Sequence, residues 1–174
     1  MKNLLFLCGS LRKGSSSRAL ANALAQAVQG TCVSGFAEID AIPHFNSDIE
    51  GGAAVKRLID DIGGADGLVF VTPEYNYSIP GPLKNAIDWA SRPAMQSCFR
   101  GKPAFVITVS AGATGGVRAQ SHLKYVLNGM LARVHSGPEV IVPHAVQSVE
   151  NGSFTNQGVL DFATASLTGF VETL

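Results

Sequence analysis

Two uninterrupted apolar runs, Leu4-Leu5-Phe6-Leu7-Cys8 and Leu68-Val69-Phe70-Val71, constrain this chain more than any other feature. Neither alternates apolar with polar residues, so a strand built from either must be covered on both faces. The spacing predicts strands over Asn3–Cys8, Cys32–Ile39, Gly67–Thr72, Ala104–Ser110 and Val134–Val142, the last bent at Gly137-Pro138. Helical stripes fall between and after them: Leu20, Ala23, Leu24, Ala27 and Val28; Val55, Leu58, Ile59 and Ile62, stopped by Gly63-Gly64; Leu83, Ala86, Ile87 and Ala90, closed by Pro93. Leu123, Val126, Leu127, Met130 and Leu131 mark a fourth helix, and Leu160, Ala163, Leu167, Val171 and Leu174 a fifth. Strict alternation of strand and helix predicts an α/β fold, one parallel sheet with helices on both faces. With 174 residues, 46% hydrophobic, and no repeat or linker, a single domain over residues 1–174 is expected.

Several function classes drop out on charge and cysteine usage. Thirteen basic and thirteen acidic residues balance, so the chain lacks the basic footprint of a nucleic-acid binder. Low net charge also leaves self-association unopposed. Cys8, Cys32 and Cys98 form no CxxC pair, and His44, His122, His135 and His144 are scattered without metal-ligand spacing. Unpaired thiols suit a reducing compartment, and a cytoplasmic location is expected. Lys2 with the apolar run behind it is too short for a signal peptide, and no run reaches the length of a membrane span.

In open parallel sheets, ligands bind beyond the carboxyl ends of the strands. After the first strand comes Gly9-Ser10-Leu11-Arg12-Lys13-Gly14-Ser15-Ser16-Ser17-Arg18, which opens a helix. Free amides at a helix start, serine hydroxyls and Arg12 suit a phosphate monoester. The loop is neither GxGxxG nor GxxxxGK[ST], which disfavours a pyrophosphate or a magnesium triphosphate; a plain serine-capped helix would look the same. After the third strand, Thr72-Pro73-Glu74-Tyr75-Asn76-Tyr77-Ser78-Ile79-Pro80-Gly81 offers aromatics and backbone amides to a planar ring, or else forms a rigid turn whose tyrosines pack locally. After the fourth, Ser110-Ala111-Gly112-Ala113-Thr114-Gly115-Gly116 lets backbone approach a ligand, or serves as a flexible helix entry. Together the three loops describe a phosphate cup, a ring platform and a small-residue edge: the outline of an FMN site.

These residues resemble a known family. Gly9–Ser15 matches the phosphate loop of the NADPH-dependent FMN reductase family, which includes chromate and quinone reductases and some azoreductases. Thr72–Pro93, TPEYNYSIPGPLKNAIDWASRP, is similar to its signature segment, and Gly115-Gly116-Val117-Arg118-Ala119-Gln120 to its third motif. The chain departs from the family pattern at Ser16-Ser17, where many members carry an aromatic and an asparagine. The resemblance implies a flavodoxin-like three-layer α/β/α sandwich with a five-stranded parallel sheet of order 2-1-3-4-5, bound FMN, and a homodimer or homotetramer. It places Ser10, Arg12, Ser15 and Ser17, with Ser16 beside them, around the phosphate. Pro73, Glu74, Tyr75, Asn76 and Tyr77 would flank the isoalloxazine, with Ser110 and Gly112 near its other edge.

A flavin carries the chemistry itself, so no catalytic side chain is expected. NAD(P)H would reduce it and a small-molecule electron acceptor (a quinone, free flavin, azo compound or chromate) would reoxidise it in a ping-pong cycle, with Tyr77 shaping the stacking cleft. No residue singles out a 2′-phosphate, so NADPH and NADH both stay open. Two other readings are a flavodoxin-like electron carrier, which the neutral charge fits poorly, and a flavin-binding module without turnover. No nucleic-acid or membrane partner is expected. Trp89 is expected to pack, Asp60-Asp61 to be solvated, and Arg118 to pair with Glu139 at a subunit contact.

Overall fold

A computed structural model describes residues 1–174. The elements run β1 (Lys2–Cys8), α1 (Ser16–Ala27), β2 (Cys32–Phe36), α2 (Gly52–Gly64), β3 (Gly67–Pro73), α3 (Gly81–Ala90) and β4 (Pro103–Val109). They continue with α4 (Val117–Gly129), β5 (Arg133–Val134), β6 (Val140–Val142), β7 (Val149–Glu150), β8 (Ser153–Phe154) and α5 (Gln157–Val171). The main sheet is parallel with order β2-β1-β3-β4-β5, and β6 also pairs with β4. This is the expected flavodoxin-like arrangement.

Side chains of a strand alternate between faces, and both faces here are apolar. Leu4, Phe6, Cys8, Val69, Val71, Phe105 and Ile107 pack against Leu20 and Leu24 of α1 and Ala163, Leu167 and Phe170 of α5. Leu5, Leu7, Leu68, Phe70 and Val106 pack on the other face against α2, α3 and α4 through Leu58, Ile62, Leu83, Ile87, Leu123 and Leu127. Caps start the helices where the sequence changes character. Ser15 Oγ accepts the Arg18 amide at 3.2 Å to open α1, and Asn156 Oδ1 accepts the Val159 amide at 3.1 Å to open α5.

Four local expectations need correction. The second strand stops at Phe36, although the Ala37 amide still reaches the Phe6 carbonyl at 2.9 Å; beyond it the chain turns Ile39 into the core under α2 and α3. The fifth strand is broken rather than bent. Pro138 has no amide to donate, so pairing lapses between β5 and β6. Helix α4 ends at Gly129 and Leu131 sits in the left-handed region at φ 62°, so Leu131 leaves the apolar stripe and Leu174 likewise falls beyond α5. The β7–β8 hairpin was not anticipated, yet its tip is Asn151-Gly152, both at positive φ, the pair that a two-residue hairpin turn favours.

Arg118 and Glu139 do not pair within the chain: Glu139 holds Lys124 at 2.6 Å, and Arg118 turns to Glu74. Trp89 does pack. Its indole donates to the Pro43 carbonyl at 2.8 Å and it meets Phe45 edge-on at 5.1 Å. Asp60 pairs with Lys56 one helical turn away, both exposed. The apolar N-terminal run is β1, and no helix is long and apolar enough to cross a membrane.

Phe70 is fully buried beneath α3 and α4. Phe70→Ala is expected to lower unfolding free energy by about 3–5 kcal/mol, transfer and cavity costs together, as measured by urea denaturation. A loss below about 1 kcal/mol would contradict this packing.

Candidate active site

The order β2-β1-β3-β4 makes the loops after β1, β3 and β4 neighbours at one rim. They enclose a cavity of about 310 Å³. Ser10, Arg12, Ser15, Ser16, Ser17, Pro73, Glu74, Tyr75 and Ser110 all line it. Asn76, Tyr77 and Gly112 do not. A roomier cavity of about 810 Å³ between residues 45–59 and Trp89 shares no residue with it.

The first loop can turn tightly because Gly9 lies against β3: a Cβ at Gly9 would overlap the Thr72 side chain. Its amide donates to the Val71 carbonyl at 3.0 Å, pinning the end of β1 to β3. The Arg12 amide then donates to Ser10 Oγ at 3.3 Å, and Ser15 Oγ lies 3.3 Å from Ser17 Oγ. The amides of Ser16 and Ser17 fall in the first turn of α1, where no carbonyl four residues back within the helix can accept them. The cup thus combines oriented amides, hydroxyls and the Arg12 guanidinium, a donor set matched to one terminal phosphate.

The loop after β3 is held from both sides. Tyr75 and Ser78 exchange backbone hydrogen bonds at 2.9 and 3.0 Å across Asn76 and Tyr77, whose φ angles are 47° and 68°. This is the mirror-image turn of a two-residue hairpin, and a bulky residue in its left-handed region is strained. Arg118 offsets the strain by lying 4.3 Å over the Tyr77 ring. Glu74 does not turn its carboxylate toward a ring site. Its Oε2 accepts the Arg118 and Ala119 amides at 3.0 and 3.1 Å, and its Oε1 meets the Arg118 guanidinium at 3.4 Å. A carboxylate at a helix N-terminus satisfies orphan donors and the helix dipole at once, so Glu74 locks the platform loop to α4. Tyr75 points back, its hydroxyl 3.3 Å from Ser10 Oγ, joining platform to cup.

After β4, Ser110 Oγ accepts the Gly112 amide at 3.0 Å, and the Ser110 carbonyl takes the Ala145 amide at 2.8 Å. That bond draws the segment beyond β6 over the rim, where Val146 and Val149 close one wall of the cavity. Neither was among the residues expected at the site, whereas Ala111 lies in the loop already expected to approach a ligand. The only local mark of Val146 and Val149 is that they are apolar residues in the segment that follows β6.

A serine-and-arginine cup beside an aromatic loop and an apolar wall fits a phosphorylated planar cofactor such as FMN. A family model described as NADPH-dependent FMN reductase matches residues 1–147. The chain belongs to that family. It is 42% identical over 174 residues to the quinone reductase of Escherichia coli, covering 95% of this chain and 92% of that protein. It is 44% identical over 146 residues to an NAD(P)H-dependent FMN reductase of Pseudomonas aeruginosa, covering 82% of this chain and 78% of that one. Among solved structures it superposes on the flavoenzyme NAD(P)H:(acceptor) oxidoreductase FerB of Paracoccus denitrificans with a TM-score of 0.89 and 36% identity, covering 99% of this chain and 96% of that one.

The enzyme is therefore an oxidoreductase of a family that uses FMN with a reduced nicotinamide, and not a passive electron carrier. Its thiols stand outside the cavity. Burial pushes the Cys8 thiol from its ordinary 9.0 up to about 11, against a smaller opposing pull from Arg18. Cys8 is expected to resist iodoacetamide at pH 8 in the native protein and to react once unfolded, read by mass spectrometry. Because the thiol is raised in the folded state only, its contribution to stability is complete below pH 9 and lost as pH rises through 11.

Glu74→Ala would leave two amides of α4 without acceptors and release the Tyr75–Ser78 turn. An expected loss of about 1–3 kcal/mol in thermal or urea unfolding checks this latch. An unchanged stability would mean that water replaces the carboxylate without cost.

Proposed function

We propose that the chain binds FMN in the rim cavity and catalyses two-electron transfer from NAD(P)H to a small acceptor, quinones foremost. One observation supports this above the others: Ser10, Arg12 and Ser15–Ser17 from the first loop, Pro73 and Tyr75 from the second, and Ser110 from the third share one cavity at the strand ends. Ser10, Arg12, Ser15, Ser16 and Ser17 would hold the phosphate. Pro73, Glu74, Tyr75, Asn76 and Tyr77 would frame the ring, largely through backbone, with Ser110 and Gly112 at its far edge.

FMN, when bound, supplies the hydride-accepting centre at N5 and carries two electrons between the nicotinamide and the acceptor. The protein's residues do the rest by position. The locked turn presents Tyr75 and Tyr77, 45% and 67% exposed, beside an open face where donor and acceptor would take turns in one cleft. Such sharing is the ping-pong order. Loop amides near the ring would stabilise negative charge without reorganising. Azo compounds, free flavin and chromate are further acceptors that an open cleft would admit.

The relatives named for quinone and FMN reduction support this choice of acceptor and donor. Zero net charge and exposed Val146 beside the cavity favour a homodimer or homotetramer whose second subunit completes the cleft. Three free thiols suit a cytoplasmic site of action.

The purified protein is expected to show flavin absorption near one equivalent, bleached anaerobically by NADPH and restored by benzoquinone. Arg12→Ala is expected to weaken FMN retention about tenfold or more, the scale of a lost charge-assisted contact, measured by equilibrium dialysis. Retention equal to the parent's would remove Arg12 from the cup.

A further inference from the structure

Of the thirteen Lys and Arg residues, nine reach a protein oxygen. Arg12, Lys13, Arg18 and Arg92 do not, and the first three line a single cavity of about 680 Å³ beside the cup. This cavity lies between the first loop and the residues following β2, and Arg12 is common to its wall and to the wall of the cup. Arg18 is half-buried, and its guanidinium is held 5.6 Å above the Phe36 ring. Two carboxylates share the space. Glu38 is already paired with Arg57 at 2.8 Å, which leaves Asp40 against three cations. One flavin phosphate in the neighbouring cup would engage Arg12 and still leave Lys13 and Arg18 with Asp40 as their single counter-charge.

We propose that this second cavity receives the adenosine 2′-phosphate of NADPH, and that Lys13 and Arg18 are the residues that distinguish NADPH from NADH. The proposal rests on the reading that FMN occupies the rim with its phosphate at the first loop. Three strand spacings separate β2 from β4, about 14 Å, so a dinucleotide with its nicotinamide over the ring platform can lay its adenosine end at β2. The chemistry is specific to a phosphate dianion. Two cations facing one free carboxylate gain little from a ribose hydroxyl, whereas a 2′-phosphate takes charge-assisted bonds from both. Asp40, on the same wall, can accept only from the 3′-hydroxyl of that ribose, the one the 2′-phosphate leaves free.

The test uses FMN-loaded protein and calorimetric titration with 2′,5′-ADP, 5′-AMP and inorganic phosphate, so that binding is read independently of turnover. The expected result is 2′,5′-ADP binding about tenfold or more tighter than 5′-AMP. Lys13→Gln, in an exposed loop, and Arg18→Gln should each shrink that ratio to within about threefold and raise KM for NADPH about tenfold, with KM for NADH within about twofold of the parent. Thermal melts check that Arg18→Gln still folds; Lys13→Gln carries the test if it does not. Equal binding of 2′,5′-ADP and 5′-AMP, inorganic phosphate binding as tightly as 2′,5′-ADP, or a ratio untouched in Lys13→Gln would each overturn the proposal. A protein that holds flavin and oxidises NADH yet shows any of these outcomes sinks this inference alone. One that never retains flavin sinks the broader reading instead.

Discussion

Burial of both faces of one parallel sheet is the constraint on which everything else rests. Leu5, Leu7, Leu68 and Phe70 can leave water only if α2, α3 and α4 cover them, and Leu4, Phe6, Val69 and Val71 only if α1 and α5 do so opposite. Parallel strands need helical crossovers, so each strand's carboxyl end delivers a loop to the same rim. With β1 and β3 adjacent and β4 next, those loops have nowhere else to meet. The cavity at the rim follows from how the core is covered.

Having met, the loops are fixed by short-range polar contacts. Gly9 brings the first loop against Thr72, Tyr75 reaches Ser10, and Ser110 ties down the segment carrying Val146. The platform turn holds Asn76 and Tyr77 in a left-handed conformation that local sequence alone does not favour for tyrosine. Glu74 and Arg118 maintain it, the one by capping α4 and the other by stacking on the Tyr77 ring. Strain held by surrounding structure is typical of places where a ligand is positioned. Here it keeps two aromatic side chains exposed beside the cavity.

Much of this was legible beforehand. The alternation of apolar runs and helical stripes gave the sheet and its helices, since both signals are local and periodic. The first loop and the Thr72–Gly81 loop were readable as turns at the rim of the sheet because glycine, serine and proline at strand ends have specific turn chemistry. The misses share a cause. The wall built by Val146 and Val149 depends on the path taken past β6, and Glu74 finds its acceptor role with residues 44 and 45 positions away. Within the chain, Arg118 meets Glu74 and Glu139 meets Lys124, partners that charge and sequence spacing do not single out.

By itself, the sequence determined the class of fold and which residues make the turns at the strand ends. Hydrophobic period and turn residues act within a few positions of one another, so these were decided locally. Only the tertiary structure decided which side chains share a space: Glu74 with the start of α4, Tyr75 with Ser10, and Lys13 and Arg18 with Phe36 around a second cavity. Those pairings depend on strand order and loop path, and a charge or ring distant in sequence acquires its partner only when the packed sheet carries it there.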